Sequence, residues 1–176
     1  MRGVVFAFFG HPGAGKSTLC RRLGEIGGIP ALDTDAFMTP EEREAVEAGR
    51  YTQAMRLANI DRYCARVREL LRQHPAVAIA DGLPNQAARD YLAGCLADAS
   101  VAFVLVQTPA EVWHRRLEIR GGNAVRVGVA EAQAYVREHW EPIDPAFPHD
   151  AIENGEDAAE VDAALAALLA RYLEDT

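Results

Sequence analysis

The segment Gly10-His11-Pro12-Gly13-Ala14-Gly15-Lys16-Ser17 constrains this chain more than any other. It fits the pattern G-x-x-x-x-G-K-[ST] at every fixed position. Before it, Val4 to Phe9 is an apolar run of strand length. After it, residues 15 to 26 carry Leu19, Leu23 and Ile26 at the spacing of one helix face. A strand that turns through glycines into a helix aims the unpaired N–H groups and the positive dipole end of that helix at one point. The glycines permit positive φ and close backbone approach, so successive amides form a nest for anionic oxygens. Gly10, His11, Pro12, Gly13, Ala14, Gly15, Lys16, Ser17 and Thr18 are therefore expected to hold nucleotide phosphates. Lys16 should reach the β- and γ-phosphates, and the Ser17 hydroxyl should ligate Mg²⁺.

The remaining composition narrows the setting of that loop. A chain of 176 residues suits one domain with a real core. No apolar run has the length of a membrane span. The apolar start lacks a small-residue cleavage site and leads straight into the glycine loop, so it reads as a buried first strand and not a leader. Cys20, Cys64 and Cys95 are odd in number and widely spaced. They suggest buried thiols in a reducing cytoplasm, not a disulfide framework or zinc site. A net charge of −8 disfavours long nucleic acid as a partner, though not a short nucleotide in a locally basic cleft.

Short apolar strands alternate with helices along the rest of the chain. Strands are expected at Ile29 to Leu32, Val77 to Ala80, Val101 to Val106 and Ala151-Ile152. Helices are expected over 40–73 with a break at Gly49, then over 85–97, 109–120, 129–140 and 157–172. Arg50, Arg56, Arg62, Arg66, Arg68 and Arg72 should form a mainly solvated face, with one or two reaching into a cleft. The alternation predicts an α/β domain whose parallel sheet is covered on both faces.

In such a sheet the carboxyl ends of the strands line the ligand crevice. Asp33 and Asp35 stand at the end of the second strand. Either can serve catalysis or Mg²⁺, or can simply cap the next helix. Asp81 follows Val77-Ala78-Ile79-Ala80 in the manner of a Walker B carboxylate, and Gly82 follows it where an ATPase would carry a water-activating glutamate. Arg115, Arg116 and Arg120 lie late in the helix after strand four. Arg116 and Arg120 share a face, with Gly121-Gly122 as a joint and Arg126 beyond. They fit a segment that closes over a triphosphate, or an ordinary basic helix end. His11 reads as a spacer, and His114, His139 and His149 as surface groups. Trp113 and Trp140 read as packing residues.

These features together resemble the small P-loop kinases of the AAA-domain type, a group that includes the 5′-kinase domain of polynucleotide kinase and is similar to gluconate, shikimate and chloramphenicol kinases. Gly10 to Thr18 resembles the group's G-x-P-G-[SA]-G-K-S-T loop. Asp81-Gly82, with Arg89 further on, resembles the segment after strand three. Arg116-Leu117-Glu118-Ile119-Arg120-Gly121 with Ala124-Val125 resembles the lid. The resemblance implies a three-layer α/β/α fold with a five-stranded parallel sheet in the order 2-3-1-4-5. It also implies a helical substrate-binding insertion over about 36–74, a lid over about 114–128, and adenine near Ile152 to Gly155. The implied reaction is ATP- and Mg²⁺-dependent phosphoryl transfer to a hydroxyl of a small molecule. Lys16, Asp35 as base, Arg116 and Arg120 would be catalytic, with Ser17, Asp81 and Asp33 at the metal. A nucleotide, nucleoside or polynucleotide 5′-hydroxyl acceptor stays open, as does a nucleotide-dependent switch. Monomer or homodimer is expected. Residues 36–74 show no motif for a particular acceptor.

Overall fold

The computed structural model describes residues 2–119 and 129–173. Five strands form one sheet: β1 (Val4–Phe9), β2 (Ala31–Asp33), β3 (Ala76–Ala80), β4 (Ser100–Gln107) and β5 (Asp150–Glu153). All pairings are parallel and the order is β2-β3-β1-β4-β5, as expected. Seven helices accompany them among the described residues: α1 (Lys16–Gly27), α2 (Pro40–Glu47), α3 (Gln53–Leu71), α4 (Gln86–Cys95), α5 (Ala110–Ile119), α6 (Val129–His139) and α7 (Ala158–Leu173). A 3-10 turn, Thr34–Phe37, follows β2.

The period-2 alternation of β1 divides the core. Val4, Phe6 and Phe8 face one layer with Leu19, Cys20 and Leu23 of α1 and Val161, Leu165, Leu168 and Leu169 of α7. Val5, Ala7 and Phe9 face the other, with Ile60, Tyr63, Cys64 and Val67 of α3 and Ala88 and Leu92 of α4. Burying each such side chain contributes about 1.5–3 kcal/mol, so the two layers hold the sheet from both sides. The arginine-bearing α3 thus packs on the sheet through Ile60, Tyr63, Cys64 and Val67. Of the arginines in and around α3, Arg50, Arg66, Arg68 and Arg72 are exposed, whereas Arg56 and Arg62 are half-buried. Arg62 Nε donates to Phe37 O (2.9 Å) and its guanidinium meets the buried Glu42. Glu42 also closes the capping box with Thr39 that starts α2.

Two expectations fail locally. Ile26 is 38% exposed, because α1 ends by bringing Gly24 against the chain of Ile29. A Cβ on Gly24 would lie 2.9 Å from Ile29 O, so the close approach is made by glycine and Ile26 turns outward. Cys95 is only half-buried, unlike Cys20 and Cys64. Its Sγ lies 3.5 Å from Asp61 Oδ1.

Register places the site. Phe8 is level with Ala80 on one side and Val104 on the other, and Ala80 is level with Asp33. The segments opening at Gly10, Thr34 and Asp81 therefore leave the sheet along one edge. Among the described residues no helix is long and apolar enough to cross a membrane.

Candidate active site

The glycine loop sits where β1 ends and α1 begins. Gly10 has φ +148°, and a Cβ there would stand 2.7 Å from Val106 O, so the loop's first residue must be glycine to pass β4. Gly15 caps α1 at φ +93° with no side-chain cap bond. The first helical bond runs from Leu19 N–H to Gly15 O (3.0 Å), so the Ser17 and Thr18 amides have no acceptor within the helix. Both residues are exposed. Lys16 Nζ donates to His11 O (2.9 Å), which folds the ammonium back over the loop. His11 lies edge-on to Trp140 (4.5 Å between centroids). Burial and then Lys16 lower its pKa, which keeps it neutral at pH 7. Trp113 Nε1 donates to Pro12 O (2.6 Å). Both tryptophans thus pack, as expected, and they pack on the loop itself.

Across the cleft, the 3-10 turn presents Asp35. Asp33 Oδ1 accepts the Asp35 N–H (3.2 Å), so Asp33 does act as the cap. Thr34 Oγ1 donates to Ala80 O (2.8 Å) and Asn59 Nδ2 to Thr34 O (3.2 Å), which ties this turn to β3 and α3. Water reaches the Asp35 carboxyl in the open cleft, yet protein surrounds it on most sides. That desolvation, then the charges of Asp33 and Asp81, push its pKa up to about 6, against the opposing pull of Lys16 and Arg43.

Asp81 leaves β3 into a turn whose Leu83 is fully buried at φ 42°. Its Oδ2 accepts from Tyr63 OH (2.8 Å) and its Oδ1 from Leu83 N–H (3.4 Å). Arg89 is buried. Its guanidinium lies over the rings of Phe9 (5.9 Å) and Phe147 (5.6 Å), and Nη1 donates to Leu83 O (3.1 Å). It supports the strained turn from beneath. Arg56 crosses the cleft from α3. It donates to Tyr135 OH on α6 (3.2 Å), covers the Tyr51 ring (5.1 Å), and reaches within 3.9 Å of where a Gly82 Cβ would stand.

Arg116 lies beside the end of the phosphate loop, its Nη1 3.7 Å from where a Gly15 Cβ would stand. Its Nη1 donates to Asn154 O (3.0 Å) and Nη2 to Gly155 O (2.8 Å), so it joins α5 to the β5–α7 loop. Arg120, Gly121, Gly122, Ala124, Val125 and Arg126 lie outside the described residues. His139 and His149 are exposed, while His114 is half-buried and pairs with Gln133 Nε2 (3.2 Å). Sequence reasoning missed Tyr63, Tyr51 and Tyr135, and it left Arg56 unassigned within the arginine helix. The excess of arginine at half-apolar α3 positions was the only local signal.

Among the described residues no three His, Cys, Asp or Glu side chains form a ready cage for a metal. Mg²⁺ does not require one, since it keeps waters and phosphate oxygens and takes one or two protein oxygens. The Ser17 hydroxyl and the Asp81 carboxylate fit that demand. So does the crowding of Asp33, Asp35 and Asp81, whose mutual repulsion a dication would relieve.

A strand–glycine loop–helix nest, a lysine over it and carboxylates from the next two strands define a nucleotide-binding P-loop domain of the kinase type. The family model described as an AAA domain matches residues 5–142, and the chain belongs to that family, among the small P-loop kinases. It is 30% identical over 135 residues to a gluconokinase from Arabidopsis thaliana, which is 69% of each chain. Its fold is similar to that of a gluconokinase from Sinorhizobium meliloti 1021 (TM-score 0.77, 23% identity, 99% of this chain and 95% of that one). It is also similar to a sugar kinase from Janibacter sp. HTCC2649 (TM-score 0.73, 19% identity, 99% and 95%).

Proposed function

We propose that this kinase transfers the γ-phosphoryl group of ATP to a hydroxyl of a small polyhydroxylated acid of the aldonate type. The observation that carries the reading is Asp35, a carboxyl with a pKa of about 6 set opposite Lys16 at the sheet edge. A base works best when its pKa lies near the operating pH. The acceptor hydroxyl oxygen attacks the γ-phosphorus, the bond from that phosphorus to the β–γ bridging oxygen breaks, and ADP leaves. Asp35 takes the hydroxyl proton. Lys16 and the loop amides hold the β- and γ-phosphate oxygens in line. Ser17 and Asp81 would hold Mg²⁺, with Asp33 near by, and the ion supplies charge neutralisation between the phosphates when bound. Arg116 serves the base side of the nucleotide through the β5–α7 loop, and Arg120 is assigned to the transferring phosphoryl group. Residues 36–74 and the lid frame the acceptor.

Arg56 supports an acid as the acceptor. It is a half-buried guanidinium beside Gly82 with no carboxylate within 4 Å among the described residues. Such a group is suited to pair with an anionic substrate through a charge-assisted hydrogen bond. The similarity to gluconokinases agrees with that choice.

The test is ADP release with gluconate and other aldonates against glucose, sorbitol, shikimate, nucleosides and 5′-hydroxyl oligonucleotides. Aldonates should drive release, and Arg56→Gln should raise their KM roughly 10- to 100-fold, the scale of a hydrogen bond to a charged group. Equal turnover of sorbitol and gluconate by the wild-type chain would remove the acid from the reading.

A further inference from the structure

One carbonyl of the phosphate loop is gripped from outside by two side chains. Ala14 O accepts Thr108 Oγ1 (2.9 Å), from the end of β4, and Asn154 Nδ2 (2.7 Å), from the end of β5. Asn154 is 7% exposed, one of few buried polar residues among those described. Its own backbone is pinned, because Asn154 N–H donates to Gln107 O (2.7 Å) and Asn154 O accepts Arg116 Nη1. Gly15 admits the amide, since a Cβ there would stand 2.2 Å from Asn154 Nδ2. Glycine at the end of the loop thus serves both φ +93° and the passage of Asn154.

The consequence follows from peptide geometry. No peptide bond among the described residues is cis. In a planar trans peptide the N–H points opposite to the carbonyl. Fixing Ala14 O toward the ends of β4 and β5 therefore fixes the Gly15 N–H toward the opposite side, the concave side that α1 opens onto. The Ala14 N–H is spent inside the loop on His11 O (3.2 Å), so from Ala14 onward the Gly15 N–H is the first amide left to face a phosphate. Without the two donors that peptide could rotate, and each nest amide that turns away weakens the grip on an anionic oxygen.

We infer that Thr108 and Asn154 are positioning residues for nucleotide binding, acting through the shared Ala14 carbonyl that orients the Gly15 amide. The inference rests on the P-loop reading but not on the identity of the acceptor. It predicts a defect in affinity more than in chemistry, because the loop amides hold the phosphates both before and during transfer.

The test is calorimetric titration of Mg·ADP and of a non-hydrolysable ATP analogue into wild type, T108V, T108S, N154A and T108V/N154A, with steady-state kinetics and melting curves alongside. T108V and N154A should each raise Kd roughly three- to tenfold, the scale of one neutral hydrogen bond. KM for ATP should rise in parallel while kcat changes less. T108S, which restores the hydroxyl, should regain the affinity lost in T108V. The double variant should lose more than the product of the single losses, because either donor alone still partly holds the carbonyl. Should N154A fail to fold, the T108V and T108S pair at half-buried Thr108 decides alone. Wild-type chain that takes up no nucleotide overturns the P-loop reading and this inference with it. Wild-type binding matched by folded T108V and N154A at unchanged Kd overturns the inference only, as does lost stability with unchanged affinity.

Discussion

Asp35 gives the sharpest handle on the chemistry, because its environment sets a number. With a pKa of about 6, roughly nine-tenths of the chain carries an ionised Asp35 at pH 7, and about one-tenth does at pH 5. If Asp35 accepts the hydroxyl proton, kcat/KM should bend near pH 6 and fall about tenfold per unit below it. Asp33→Asn refines the test. The substitution keeps an oxygen able to accept the Asp35 N–H but removes one of the two charges that raise the Asp35 pKa. The acid limb should move to lower pH. Asp35→Asn should lose roughly 10²- to 10⁴-fold in kcat, the usual contribution of a general base, with nucleotide affinity retained. The same residue has a stability signature of opposite sign. Its pKa is raised on folding, so the folded state resists ionisation that the unfolded chain undergoes near 3.8. Wild type should therefore lose stability relative to Asp35→Asn as pH rises from about 4 to about 6, and the gap should then stay level. The assays are coupled ADP release across pH 4.5–8.5 and melting curves over the same range. A flat kcat/KM profile through pH 6, or an Asp35→Asn variant with wild-type turnover, would refute the role.

Two further outcomes follow from contacts at the edge of the cleft. Tyr63→Phe removes the hydroxyl that donates to Asp81 Oδ2; its loss should raise the Mg²⁺ concentration for half-maximal activity by roughly tenfold or more, read from a magnesium titration at saturating ATP. Arg116→Ala frees the carbonyls of Asn154 and Gly155 and should raise KM for ATP while leaving most of kcat. A collapse of kcat at unchanged KM would instead put Arg116 on the transferring phosphoryl group.

What could be read from the chain divides along physical lines. The phosphate loop was legible because its chemistry is contiguous: glycines, lysine and serine must stand at fixed local spacing between a strand and a helix. Asp35 and Asp81 were legible by position, since a parallel sheet brings its strand ends to one edge. Tyr63 and Arg56 were not, because α3 carries them to that edge only through packing on β1 and β3. To periodicity alone they are members of an amphipathic, arginine-rich helix. Thr108 and Asn154 reach Ala14 only after β4 and β5 are laid beside β1, and no local spacing encodes that. Arg116, whose neighbours resemble a lid, is carried by an α5 that packs its Trp113 and Leu117 against Gly13; its Nη1 stands 3.7 Å from where a Gly15 Cβ would lie while it donates to the β5–α7 loop, a placement that no local spacing encodes. Ile26 shows the same limit on a smaller scale, since helical spacing cannot foresee that Gly24 makes the contact.

The central claim is transfer from ATP to an acceptor hydroxyl, and phosphorus NMR reads it without an intermediary. Wild-type chain with ATP, Mg²⁺ and gluconate should produce ADP and a new phosphomonoester resonance in equal amounts, with both formed at least roughly 100-fold more slowly by Asp35→Asn. ADP accompanied by inorganic phosphate alone, at a rate indifferent to any acceptor, would contradict the account and make the protein a hydrolase.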